Sequence, residues 1–255
     1  MSLRLALRAG ALPAGARVDA AGLAPEHLAA IDPAAAARAT VPTTAGDAAI
    51  GDLFTLTRTA GPDAALELEG DLGRFDRLGS GMTRGRLTVE GNAGHRAGEG
   101  MRGGILLICG DAGDEAGAPL PGAPEGQAGG VLIVRGRAGA CAGYRMRRGF
   151  MALGGAGDAA GAALIAGTML LLSAPGAGTG AMMRRGTIVV LGPFQPGPMF
   201  ARSGRTVAPW LGPYVDAMAA AGLGAPVDPA TATFVRYRGD LADGALGEIL
   251  VREER

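Results

Sequence analysis

Short apolar runs recur along the middle of the chain, and each is followed by a stretch rich in glycine. They begin near Leu66, Arg86, Ile105, Val131, Phe150, Thr168 and Thr187, at steps of about 19 residues apart from one longer step after Ile105. Repeats of this length are typical of solenoids, in which each unit buries its apolar face only by stacking on its neighbours. Within the runs the side chains alternate. Leu87 and Val89 align with Leu106 and Ile108, Leu132 and Val134, Met151 and Leu153, Met169 and Leu171, and Ile188 and Val190. That face is predicted to point inward. Behind the runs the glycines keep a fixed spacing, at Gly91, Gly94 and Gly98, then Gly110, Gly113 and Gly117, then Gly136, Gly139 and Gly143. Glycine at the same places in every unit implies bends with positive φ, or corners too tight for a Cβ. Met82, Met101, Met146 and Met183 each fall three places before a closing glycine, with Leu164 in that place in the fifth unit. Flexible thioethers there are expected to fill an irregular inner corner.

These patterns predict an all-β chain built as a right-handed parallel β-helix of about 19-residue rungs over 65–192. Residues 1–64 are expected to form an N-terminal cap, and 193–255 a C-terminal cap and partner-docking tail, because an open stack needs both ends covered. In the caps, strands are predicted at Leu3–Leu7, Ile50–Thr57, Thr233–Tyr237 and Glu248–Val251. Short helices are predicted at Pro25–Ile31 and at Tyr214–Ala221, the latter stopped by Gly222. A left-handed β-helix would need an aliphatic residue at every sixth place, and the chain has no such rhythm.

The outward positions change character along the stack. Arg86, Thr88 and Glu90 are polar, whereas Ile105, Leu107, Val131, Ile133, Leu170, Leu172 and Val189 are apolar. A contiguous apolar face on a soluble protein marks an interface, so this one is expected to dock another subunit or the chain's own cap. Asp114–Gln127, stiffened by Pro119, Pro121 and Pro124, is expected to form a protruding loop that reaches a neighbouring subunit. Arginines gather before the closing glycines, at Arg84, Arg102, Arg147 with Arg148, and Arg184 with Arg185. Stacking would place them along one edge in two clusters.

Composition narrows the function. The 46 glycines accompany 48% hydrophobic residues, which argues for a folded core rather than a flexible linker. Formal net charge is zero, so no nucleic-acid partner is expected, and all 24 basic residues are arginine. No apolar stretch is long enough for a membrane span and no signal peptide is expected. Cys109 and Cys141, far apart, suggest reduced thiols in a cytoplasmic protein. Catalytic motifs are missing from the sequence. His27, His95 and the two cysteines have no metal-ligand spacing. Gly79-Ser80-Gly81 is too short for a nucleophile elbow, and a chain without lysine has no P-loop. No catalytic residue and no metal ligand is assigned.

The repeated G-x-x-G-x-x-x-G turns resemble the glycine-repeat β-helix shared by the C-terminal domain of glutamate synthase and the C-type subunit of formylmethanofuran dehydrogenase. Gly51–Gly61 (GDLFTLTRTAG) and Phe234–Val251 (FVRYRGDLADGALGEILV) are similar to segments of that C-type subunit family. The resemblance implies a member of the bacterial formyltransferase/hydrolase complex of one-carbon metabolism. That complex passes a formyl group from formyl-tetrahydromethanopterin to a methanofuran-like carrier and hydrolyses it to formate. It also implies that the chemistry lies on a formyltransferase subunit and an amidohydrolase-like subunit, leaving this chain a scaffolding role. Since such carriers bear glutamate residues, Arg147, Arg148, Arg184 and Arg185 are expected to form a track for the polyglutamylated tail, with no cofactor held chemically by this chain. The C-type subunit of an archaeal-type dehydrogenase and a glutamate-synthase-like accessory module remain the alternatives.

Overall fold

The computed structural model describes residues 2–59 and 64–253. Ala60 and Gly61, the end of the Gly51–Gly61 segment, lie outside them. Strands dominate the regular structure of the described chain. Twelve strands share one sheet: β1 (Ser2–Leu7), β2 (Phe54–Thr59), β3 (Ala65–Glu69), β4 (Arg86–Glu90), β5 (Ile105–Ile108), β6 (Ala128–Ala138), β7 (Arg148–Ala156), β8 (Thr168–Leu171), β9 (Thr187–Val190), β10 (Ala201–Val207), β11 (Thr233–Gly239) and β12 (Gly247–Arg252). Their spatial order is β10-β11-β12-β9-β8-β7-β6-β5-β4-β3-β1-β2. Helices α1 (Pro25–Leu28), α2 (Pro33–Arg38) and α3 (Ile50–Leu53) sit between β1 and β2, and α4 (Gly212–Ala220) lies between β10 and β11.

From β3 to β9 every strand pairs in parallel with the next strand in sequence. One row of the register reads Leu66, Leu87, Leu106, Leu132, Met151, Met169 and Ile188, and ends on Ile249 of β12. Successive units also bond away from the sheet. Parallel bridges join Leu72, Ala93, Ala112 and Ala138. At the next bend Gly98 N–H donates to Leu78 C=O, Gly117 to Ala97, Gly143 to Ala116 and Gly161 to Ala142, all at 2.7–2.8 Å. These ladders satisfy backbone groups that the glycine-rich bends would otherwise bury unpaired.

The bends need glycine for two distinct reasons. Gly91 has ordinary φ, but a Cβ there would stand 2.1 Å from Gly70 C=O. Gly98 has φ +69°, a region costly for side-chain-bearing residues, and its Cβ would meet Leu132 Cδ1 at 2.4 Å. The four methionines and Leu164 are fully buried in the main core with the inward-facing rows of strands β3 to β9.

The outward apolar row has a different fate. Leu107, Ile133, Leu170 and Val189 are 0–5% exposed and form a second core with Leu211, Val215 and Met218 on the α4 segment. Val131 and Leu172 pack against the same cluster partly buried, and Ile105 is half-buried beside them. The face expected to dock another subunit or the chain's own cap is therefore occupied by the C-terminal segment of the same chain. Leaving that much apolar surface in water would cost more than laying over it a helix that buries Val215 and Met218. Arg135 anchors the cover, since its Nε donates to Ala221 C=O at 2.9 Å just beyond the helix end.

One further expectation is revised, and the long third turn is seen to be tied to its own stack. Ile50–Thr57 is a helical turn followed by a strand, not a single strand; Ile50 and Leu53 are both buried, at helical spacing. The 114–127 loop folds back on its own stack. Arg96 Nη2 donates to Pro119 C=O at 2.6 Å, and Gln127 N–H closes the base on Gly117 C=O at 2.7 Å. Strand β10 was not foreseen, because its Arg, Ser and Gly residues carry no apolar alternation.

Candidate binding edge

The edge is built by the same stacking that builds the core. Arg147 N–H donates to Gln127 C=O at 2.8 Å, Ile165 to Met146 at 2.8 Å and Arg184 to Leu164 at 2.8 Å. Arg147, Ile165 and Arg184 thus follow one another rung by rung, as do Arg148, Ala166 and Arg185. At about 4.8 Å per rung the two arginine pairs lie roughly 10 Å apart, separated by an uncharged rung. All four side chains are exposed. Arg147 approaches Glu125 at 3.7 Å, while Arg148, Arg184 and Arg185 have no carboxylate partner among the described residues.

A shallow cleft of about 470 Å³ opens beside the first pair. Arg147 and Arg148 form its rim, and Val131, Phe150, Thr168 and Tyr214 are among its lining residues. The Phe150 and Tyr214 rings lie 4.6 Å apart at 32°, so the strand and the covering α4 segment build the aromatic floor together. Aromatic faces with guanidinium groups at the rim suit a ligand having a flat apolar part and an anionic part.

The two cysteines lie outside this cleft, and burial shifts their thiols away from reactivity. Burial pushes the Cys109 thiol up, helped by its bond to Glu90, and burial with Glu115 and Asp114 does the same for Cys141. Both thiols are thus held away from the nucleophilic thiolate form. His95 serves the stack, because its Nδ1 accepts the Asp114 N–H at 3.1 Å. His27 is exposed in α1. No group of side chains able to hold a metal ion occurs among the described residues. No helix among them is long and apolar enough to cross a membrane.

One cluster escaped the sequence reading. Glu99 is fully buried and accepts bonds from Arg77 Nε, Ser80 Oγ and Arg96 Nε, while Arg77 reaches on to Asp19 and Arg96 to Glu115. Every oxygen of Glu99 is engaged, so the network is a clamp between rungs rather than a reactive carboxylate. The available signal was the register: Arg77, Arg96 and Glu115 occupy the same place in successive units.

The described chain is thus a strand-rich stack with arginines exposed along one edge. No protein-family model matches the chain, and no curated protein matches it. Among solved structures it is similar to a chain of the formyltransferase/hydrolase complex (FhcABCD) from Methylorubrum extorquens, crystallised with methylofuran. The identity is 34%, the TM-score is 0.81, and the match covers 98% of this chain and 100% of that one. The chain belongs to the family of that formyltransferase/hydrolase complex component.

Proposed function

We propose that this chain is the glycine-repeat scaffolding subunit of a cytoplasmic formyltransferase/hydrolase complex, wound as a right-handed parallel β-helix. The observation that carries the reading is the end-to-end likeness to a chain of such a complex at 34% identity. Seven consecutive parallel strands, with the near-universal right hand of parallel crossovers, support the winding. The raised thiols and fully engaged Glu99 support a role without chemistry of its own. In this reading a formyltransferase subunit and an amidohydrolase-like subunit perform the reaction around it. Arg147, Arg148, Arg184 and Arg185 hold the anionic tail of a methanofuran-like carrier as a loose track, by charge-assisted bonds that fix no single register.

Affinity purification of the tagged chain from its own cells, followed by native mass spectrometry, tests the assignment. Copurifying formyltransferase and amidohydrolase-like chains support it; glutamate synthase domains, or a lone chain, overturn it. Changing the four arginines to Gln tests the track. Carrier retention should fall, most at low salt where screening is weak, and equal retention at low and high salt removes the track while leaving the scaffold.

A further inference from the structure

Among the described residues, exposed large apolar side chains are not spread over the surface. Met182, Met199, Val207, Trp210, Leu241 and Leu246 are each 40–58% exposed, and all lie after residue 181. They gather around β10. Leu241 N–H donates to Met199 C=O at 3.0 Å, and Asp240 Oδ2 accepts the Met182 N–H at 2.9 Å, which draws three of them to the start of the strand. Val207 and Trp210 stand at its other end. Between them β10 is the terminal strand of the sheet, bonded to β11 on one side only, and almost every residue in it is exposed. At the opposite end of the sheet, by contrast, α2 and α3 pack against the terminal strand β2.

A free edge of seven residues spans about 23 Å, and apart from a bulge between Arg202 and Gly204 its unpaired N–H and C=O groups are a template for strand addition. Its charge selects the occupant. Arg205 is paired with Glu253, but Arg202 and, on the adjacent strand, Arg238 have no carboxylate partner among the described residues. A second copy of this chain would bring its own Arg202 and Arg205 against these, and like charges across paired strands repel. We propose that β10 is a docking edge for an extended, carboxylate-bearing segment of another protein chain, whose backbone extends the sheet and whose acidic side chains meet Arg202 on one face of the sheet and Arg238 on the other. The inference stands whether or not the complex proposed above is the right one.

The test uses the full-length protein and two capped octapeptides, one repeating Glu-Glu-Val-Val and one repeating Lys-Lys-Val-Val, so that each presents its charges on both faces of the strand. Amide hydrogen exchange is followed across Ala201–Val207. With the Glu peptide at ten times its dissociation constant, exchange of the outward amides should slow about tenfold. The Lys peptide should leave them unchanged. Arg202→Glu with Arg238→Glu, both exposed positions, should weaken the Glu peptide about fivefold at an unaltered thermal midpoint. No slowing with the Glu peptide, or equal slowing with both, overturns the proposal. So does sedimentation as a dimer in which these amides are already protected without peptide, since the edge would then belong to a second copy.

Discussion

Gly98→Ala puts the bend geometry under test, with Gly122→Ala as its internal control. Both glycines have positive φ, +69° and +78°, so alanine meets the same backbone penalty of about 1–2 kcal/mol at each. The unfolded chain loses the same freedom in both, which returns about 0.4–1 kcal/mol. The surroundings differ. A Cβ at position 122 meets nothing within 4 Å, whereas one at 98 stands 2.4 Å from Leu132 Cδ1 and 3.3 Å from Leu106 Cδ2 inside the stack. Overpacking of a tight core costs about 1–3 kcal/mol, so Gly98→Ala should be less stable than Gly122→Ala by that amount. Urea unfolding of the full chain followed by far-ultraviolet circular dichroism reads the difference. Leu132→Val, which withdraws the clashing methyl, should show favourable coupling with Gly98→Ala in a double-mutant cycle. Equal losses at 98 and 122 with no coupling to Leu132 would mean that the bends do not press on the neighbouring rungs' side chains.

Three other outcomes follow from the contacts. Glu99→Ala should cost about 3 kcal/mol in urea titrations, because it strands Arg77 and Arg96, each 31% exposed, without their shared carboxylate. Leu170→Ala, fully buried under α4, should cost about 2–5 kcal/mol and let a protease cut the 208–227 cover before the rungs. Burial alone would raise the Asp76 pKa, but the bonds from Arg17 and the His95 N–H outweigh it and hold the carboxylate below its ordinary range. A depressed folded value gives stability that is present above the unfolded carboxylate pKa and lost as pH falls through the folded one. The thermal midpoint should therefore drop below about pH 4, and less steeply in Asp76→Asn.

The repeat was legible because stacking imposes one register on every rung. Leu87, Leu106 and Leu132 align in the sequence as they do in the sheet, and the methionine corner is buried at the places the spacing gives. The outward apolar row was equally visible, but not its cover. Periodicity shows that Leu107 and Ile133 need a partner surface, and only the path of the chain shows that α4 supplies it. The Glu99 clamp was hidden because a glycine-rich bend looks like loop sequence, although its charged residues sit one rung apart. Strand β10 was hidden for the opposite reason. Its pairing comes from backbone bonds to β11, while its side chains face water and leave no alternating pattern. The arginine edge was readable as two clusters, yet the cleft beside it needs Tyr214 from a distant segment of the chain.

The scaffolding role is tested most directly by leaving the chain out. The formyltransferase and amidohydrolase-like subunits would be produced together with and without it, and the mass of the assembly and the rate of formate release measured on the same preparations. The account predicts one assembly that contains this chain, and smaller separate species with slowed formate release when it is omitted. An assembly of otherwise unchanged composition that releases formate at the full rate without the chain would contradict it.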